Sequence, residues 1–365
     1  MDLTSLAELR SPSGSLISLY LDRPAGSASA AITDLLKPIR AAADSMERGI
    51  AKAVLRDCER IQGLVPKIDA QPANGVALFM SSTDDIHEMS FLDHLVWDHG
   101  SIGPRAYLRP LRSRPRPLHM GIVVADRRRC RIYLADDGTV EPLGAALEAD
   151  IGKSNFGGFS GYEEHGVRRR AEHETARMLK EAAARLLETH RDRPFDALLL
   201  GGHQETLDEL VPHLHAYLQA LPVGRVVVDP HTLTLPELRR RVADHAATVW
   251  AARQEEAAEA AAAAVETGSG AAGTATLLEA ANARAVDRLL VAGRVEKPGV
   301  VCGECGWLAR TGRECAVCGS AVFEVEDVIG YLMEAVVAGG GAVDQLEIAT
   351  PVDPHGVVGI LRFPL

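Results

Sequence analysis

The chain of 365 residues is short of aromatic side chains, with Phe, Trp and Tyr making up only 4%. Its 47% hydrophobic content therefore rests largely on Ala, Val and Leu. That is enough for globular folding, and the length predicts two or three domains rather than one core. No apolar run approaches the length of a membrane span. Residues 1–10 lack the basic and then apolar segments of a signal peptide, so a cytoplasmic location and no membrane partner are expected. Cysteine is scarce too: six are present, and four of them sit within residues 302–318. A disulfide framework is thereby disfavoured. The isolated Cys58 and Cys130 read as buried thiols. Positive charge is also in deficit, with 39 Lys and Arg against 50 Asp and Glu, a net charge of −11. This argues against nucleic-acid binding by the whole surface, and no DNA partner is expected.

The familiar catalytic arrangements are missing as well. Asp229-Pro230-His231 ends a predicted strand, yet no Ser elbow or Cys nucleophile accompanies it, so a turn is the better account. His203, His213 and His215 have poor spacing for three ligands on one helix face and read as surface or capping residues. Gly201-Gly202-His203 follows a strand but has no lysine and no fuller glycine pattern for cradling a phosphate.

Against this background two stretches stand out. Residues 105–131 carry nine arginines and the single acid Asp126, a reversal of sign inside an acidic chain. Residues 151–170 hold five glycines, with Phe156, Phe159 and Tyr162 interleaved, Lys153 near one edge and Arg168, Arg169 and Arg170 at the other. So many glycines exclude a settled helix over the first two thirds of that stretch. A helical stripe follows directly: Ala171, Thr175, Met178, Leu179, Ala182, Ala183, Leu186 and Leu187. A glycine-rich loop that opens a long helix through a basic turn is built to present itself to a partner.

The order of elements predicts a multi-domain α/β protein. Residues 1–115 read as a small N-terminal α/β domain. It has strands at 16–21, 75–80 and 95–97 and helix over 31–62, and it ends in a Pro-rich boundary. Residues 116–255 read as a central domain with strands at 119–125, 130–134, 197–200 and 225–229, helix at 207–221, and the Gly-rich loop at 152–166. A long helix over 235–266, Ala- and Glu-rich at 255–264, leads into a third domain, residues 256–365. That domain has helices at 274–282 and 327–337 and strands at 286–291, 343–348 and 356–363.

The third domain carries the strongest chemical signal. Cys302-Gly-Glu-Cys305-Gly and Cys315-Ala-Val-Cys318-Gly are paired knuckles inside a ribbon at residues 301–320. Two residues separate the cysteines of each pair and nine separate the pairs, which lets two tight turns present four thiolates to one tetrahedral ion. Zinc is the expected ion, although a rubredoxin-type iron site has similar ligands. Four thiolates leave no open position, so the expected site is structural.

Several of these motifs together resemble a known family. The stretch Gly273-Thr-Ala-Thr-Leu-Leu-Glu-Ala-Ala-Asn-Ala-Arg-Ala-Val-Asp-Arg-Leu-Leu-Val291 resembles the opening of the last domain of archaeal and eukaryotic class-1 peptide chain release factors. The inserted four-cysteine ribbon and the ending, from Gly341-Ala-Val-Asp to Gly359-Ile-Leu-Arg-Phe363, resemble that same domain. The middle segment is similar to their central domain. The N-terminal strand at residues 16–22 resembles bacterial baeRF relatives, which include Vms/ANKZF-type peptidyl-tRNA hydrolases and Balon-type ribosome hibernation factors. The resemblance covers about residues 116–365. It implies an RNase H-like central domain and a ribosomal-protein-like α/β C-terminal domain. The partners it implies are the ribosome and ribosomal RNA, with peptidyl-tRNA and an escorting translational GTPase as further candidates.

Hydrolytic members of that family carry Gly-Gly-Gln at the loop tip, and the glutamine positions the attacking water. Here the tip is Gly157-Gly158-Phe159, and residues 151–170 contain no Gln. The glycines carry over and the amide does not. Ser160, Tyr162, Glu163 and His165 are polar groups that could replace it or simply make contacts. The resemblance thus implies a ribosome-binding loop and basic turn made of Gly157, Gly158, Phe159, Ser160, Tyr162, His165, Arg168, Arg169 and Arg170. The activity implied is occupation of the A site in hibernation or protection without peptide release. A peptidyl-tRNA hydrolase that rescues stalled ribosomes is the alternative, and an RNA-binding protein unconnected with ribosomes is a third. Codon-reading motifs are not apparent in the N-terminal domain, so stop-codon-specific termination is not expected.

Overall fold

The computed structural model describes residues 3–22, 27–113, 117–136, 138–151 and 161–364, with the side chains of residues 161–167 excepted. The protein is mixed α/β with several sheets and divides into two compact units. One unit joins Met1–Pro115 to Gln254–Leu365, and the other is Arg116–Arg253. The first and third of the segments read from the sequence thus lie in the same unit.

Strand periodicity explains why. The four-stranded antiparallel sheet of the first unit runs Ile86–Leu92, Gly75–Ser81, Leu16–Asp22, His99–Gly103. Alternate residues of a strand face opposite sides. Ile17, Leu19 and Leu21 face helices Ser29–Ala43 and Arg48–Gly63 through Ile32, Leu36, Val54 and Ile61. Leu16 and Tyr20 face the other way, into a core that also holds Leu277, Val301, Ile329 and Met333 from the C-terminal part. A sheet with two apolar faces needs a second cover, and the C-terminal segment supplies it. That segment has its own four-stranded sheet, Gly270–Ala272, Val357–Leu361, Val286–Ala292, Ala342–Leu346, in which only the last pair is parallel. A small ribbon sheet of Leu308–Ala309, Gly299–Cys302 and Val322–Val325 completes the unit.

The second unit holds a mixed sheet ordered Val223–Val227, Ala197–Gly202, Met120–Ala125, Arg129–Asp136, Thr139–Pro142, with Leu147–Glu148 also paired to Arg129–Asp136. The first three strands are parallel. One face, with Val123, Leu198 and Leu200, packs on Met178, Leu179, Ala182 and Leu186 of helix Gly161–Asp192. The other, with Ile122, Val124 and Leu199, packs on Leu238, Val242 and Val249 of helix Leu235–Glu266. Residues 254–266 of that helix belong to the first unit, where Ala258 and Ala261 are fully buried with Leu290 and Leu346. The Ala-rich stretch is therefore part of a packed core.

Three expectations need correction. The helix expected over residues 31–62 is two helices, broken after Ala43 and resumed at Arg48. The strand expected at residues 95–97 is absent; the chain instead makes the hairpin strand Ile86–Leu92 and then His99–Gly103. The helix expected at 207–221 is three short pieces, Gln204–Leu210, Val211–His213 and Ala216–Gln219. Pro212 lacks an N–H donor and falls at the break. Among the described residues, no helix is long and apolar enough to cross a membrane.

Candidate metal centre and nucleic-acid interface

The two knuckles of the ribbon repeat one geometry. Gly306 N–H donates to the Cys302 carbonyl and Gly319 N–H to the Cys315 carbonyl, each at 3.0 Å. Cys302 N–H donates to the Trp307 carbonyl and Cys315 N–H to the Ser320 carbonyl, each at 2.8 Å. Closing each turn takes a left-handed residue, and Gly306 (φ 79°) and Gly319 (φ 71°) supply it. The four sulfurs of Cys302, Cys305, Cys315 and Cys318 converge to within 4.8 Å of one another. Cys302 Sγ lies 3.5 Å from Cys318 Sγ, and Cys305 Sγ 3.4 Å from Cys315 Sγ. A sulfur tetrahedron about 2.3 Å from zinc has edges of about 3.8 Å, so the donors need only a small expansion to take the ion. The donor set fits a four-coordinate metal that holds a ribbon too small for its own core.

The ribbon is pinned on two sides. Asn282 Nδ2 donates to the Leu308 carbonyl at 2.7 Å, and Leu308 N–H donates to Asn282 Oδ1 at 3.0 Å. Arg105 Nη2 donates to the Glu304 carbonyl at 3.1 Å in the first knuckle. Cys58 and Cys130 are buried single thiols, and burial pushes Cys130 up to about 12. Neither is a reactive thiolate.

The arginine-rich stretch of residues 105–131 does not form one surface. Arg109 is 1% exposed. Its Nη1 donates to Asp327 Oδ2 at 2.8 Å and to the Val295 carbonyl at 2.7 Å. Arg112 forms a bidentate pair with Glu334. Among the described residues of the stretch, the fully exposed arginines are in the second unit. There Arg127, Arg128 and Arg129 form an exposed turn. Asp126 organises it, its Oδ1 accepting from the backbone N–H of Arg128 at 2.6 Å and of Arg129 at 2.8 Å. Asp126 Oδ2 lies 3.2 Å from His231 Nε2.

Helix Gly161–Asp192 meets this turn. Thr175 Oγ1 donates to the Arg127 carbonyl at 2.8 Å. Arg168, Arg169 and Arg170 lie one to two turns earlier on the same helix, and all three are exposed. Six arginines are thus collected at one end of the unit, beside the carboxyl ends of its parallel strands. Three have acidic neighbours: Arg127 with Glu205, Arg129 with Glu148 and Arg168 with Glu172. These exposed pairs are individually weak, so their cations remain available to a polyanion.

Gly157, Gly158, Phe159 and Ser160 lie outside the described residues. Tyr162 and His165 lie in the first turns of helix Gly161–Asp192, as do the other residues of the expected loop from 161 to 166. The weaker motifs have structural roles. Gly202 adopts φ 148°, and a Cβ there would meet the Ala125 carbonyl at 2.2 Å, so it serves close strand packing. Asp229 Oδ1 accepts from His231 N–H at 3.0 Å, making the expected turn. His215 Nδ1 accepts from Tyr217 N–H at 3.2 Å, making a helix cap.

No family model matches the chain, and no curated protein matches it. Solved structures do match. The archaeal translation termination factor aRF1 is 18% identical, with 99% of this chain and 96% of that one covered and a TM-score of 0.26. Archaeoglobus fulgidus Pelota is 16% identical, with 79% of each chain covered and a TM-score of 0.38. A ribosome-bound archaeal Pelota, described with ABCE1, is 14% identical, with 96% and 91% covered and a TM-score of 0.41. Superposition is loose at these scores, so the functional reading rests on this chain's own residues.

Proposed function

We infer that this protein is a release-factor-like ribosome-binding factor, on the bacterial baeRF branch, which occupies the A site without releasing peptide. The observation that carries the reading is the loop tip Gly157-Gly158-Phe159, followed by the exposed Arg168, Arg169 and Arg170. Two glycines let a backbone enter a narrow RNA-walled cavity. The arginines, with Arg127, Arg128 and Arg129, supply the phosphate contacts that an acidic protein otherwise lacks. The family's water-positioning glutamine is absent, which favours ribosome hibernation or protection over hydrolysis. Positioning of a reactant is worth orders of magnitude in rate, so loss of that amide weighs against hydrolysis. Ribosomal RNA is the partner on this reading, and peptidyl-tRNA and a translational GTPase are candidate neighbours at the A site. The zinc ribbon of residues 301–320 has a structural role.

A second reading, a peptidyl-tRNA hydrolase that rescues stalled ribosomes, is favoured by the retained glycine pair and by Ser160, Glu163 and His165 close behind it. Sedimentation of the tagged protein with ribosomes from growing and starved cells tests the shared premise. Co-sedimentation in one or both is expected. A protein that stays at the top of the gradient in both contradicts either version.

A further inference from the structure

A cleft of about 570 Å³ opens in the first unit, between the N-terminal residues, the first cysteine knuckle and helix Val328–Ala338. Arg10, Arg105, Arg112 and Arg284 all line it, together with Trp307. Glu334 neutralises Arg112 in a bidentate pair; Arg10 Nη1 donates to the Ala7 carbonyl and Arg105 Nη2 to the Glu304 carbonyl, and these two guanidiniums with that of Arg284 keep their charge against the carboxylate of Glu8.

Two of these cations are held together against their own repulsion. Arg10 and Arg105 are direct partners in an antiparallel bridge. Like charges in that position are destabilising. The Arg105 Nε is buried and has no hydrogen-bond partner among the described residues.

The third cation sits on an unusual backbone. Helix Thr274–Asn282 ends with Arg284 N–H donating to the Ala281 carbonyl at 3.0 Å and Ala285 N–H to the Ala280 carbonyl at 2.8 Å. Glycine is the favoured residue at the left-handed position of such a terminus. Here it is Arg284, at φ 55°. Its side chain is exposed and makes no hydrogen bond or ion pair among the described residues. Among the described residues, no hydrogen bond or ion pair explains why an arginine occupies that position. Beside these cations, the half-buried Trp307 also lines the cleft.

We propose that this cleft binds a nucleoside phosphate, its phosphate held by Arg10, Arg105 and Arg284 and its base set against the Trp307 indole. Guanidinium forks match phosphate oxygens bidentately. Base stacking on an aromatic ring is tolerant of base identity. The volume falls within the range of about 300–1,000 Å³ usual for small-ligand sites. The nucleotide is either free or part of an RNA strand. The site lies in the first unit and does not rest on the ribosome reading.

The test is a titration of the zinc-loaded full chain, followed by tryptophan fluorescence. The probes are AMP, GMP, a six-nucleotide RNA and inorganic phosphate. AMP and GMP, or the RNA, should quench wild-type fluorescence, and Trp307→Phe should remove the quench. Binding by the mononucleotides identifies a free ligand, and binding by the RNA alone identifies a strand. Arg284→Gly should weaken binding at least tenfold. It should leave the melting temperature equal or higher, because glycine accepts the left-handed backbone without strain. Arg10→Gln should weaken binding in the same direction. The proposal is overturned if neither class of probe quenches, if Arg284→Gly binds like wild type, or if inorganic phosphate binds as tightly as the nucleotides.

Discussion

Asp327 and Arg109 are 218 residues apart in the chain, yet their side chains meet at 2.8 Å, with 3% and 2% of each exposed. The pair locks the N-terminal segment to the C-terminal segment. Asp327 Oδ2 also accepts from the Tyr107 hydroxyl at 2.7 Å. Its Oδ1 accepts from Ile329 N–H at 3.1 Å and caps helix Val328–Ala338. Burial raises the Tyr107 phenol well above its ordinary value, so it stays a donor.

Breaking that pair should be costly because the guanidinium left behind is buried. Asp327→Asn retains a capping oxygen but removes the charge. A loss of about 3–5 kcal/mol is expected, confined to the first unit. Urea unfolding gives the total, and hydrogen exchange shows which unit has opened. Unchanged exchange in the sheet containing Leu16–Asp22 would contradict the assignment.

His99 should give the first unit a pH-dependent stability. Its ring stacks on Tyr107 at 4.3 Å, and its Nε2 is buried without a hydrogen-bond partner among the described residues. Burial, aided by Arg109 and opposed by Asp327, lowers it to about 4. The unfolded chain then takes up the proton first, from about pH 6.5. The stabilisation is therefore complete above that pH and is lost as pH falls toward 4. At pH 5 the loss is at most about 2 kcal/mol. Glu296 faces the same pocket, and burial raises its carboxyl, an opposing contribution that His99→Phe leaves in place. The measurement is unfolding free energy at pH 7 and pH 5. The drop should be smaller in His99→Phe, and equal drops would remove His99 as the cause.

How much of this was legible follows from which interactions are local. The strand Leu16–Asp22, the helices Thr274–Asn282 and Leu235–Glu266 and the four-cysteine set all announce themselves within a few residues, by alternation, by helical period or by spacing. The break between Ala43 and Arg48 did not, because apolar residues continue at near-helical spacing across it. Arg109 was misread for a different reason. It sits in a run of arginines, and its partner Asp327 is distant in sequence, so its burial could not be read locally. The one hint was the apolar company of Leu108 and Leu111, both buried. Asp327 carried a clearer signal, an N-cap type before an apolar helical run. Arg284 gave none, since an arginine in place of a C-terminal glycine is visible only as a backbone angle.

The cysteine set should bind one metal ion per chain. Cys305→Ser should release it and loosen the ribbon, while the second unit, with its separate core, stays folded. Metal analysis of protein purified under reducing conditions is the check. Finding no stoichiometric metal in the wild type would remove the claim.

Replacing Arg168, Arg169 and Arg170 together with Ser should weaken ribosome binding and flatten its salt dependence. Each lost phosphate contact lowers the log–log slope by about 0.7–0.9. None of the three is buried, so the variant should fold normally. Binding measured between low and moderate salt decides the matter, and an unchanged affinity and slope would make the cluster a merely solvated helix start.

The central claim is binding without hydrolysis, and one experiment reads both halves. Purified ribosomes carrying labelled peptidyl-tRNA in the P site are mixed with the wild-type protein, with Gly158→Val and with Phe159→Ala. Bound protein and freed peptide are then measured side by side. A valine at 158 should obstruct the loop, and loss of Phe159 should remove stacking worth about 1–3 kcal/mol. The account predicts that wild type binds, that both variants bind more weakly, and that freed peptide stays at background throughout. Peptide release well above background by the wild type, abolished by Gly158→Val, would contradict it.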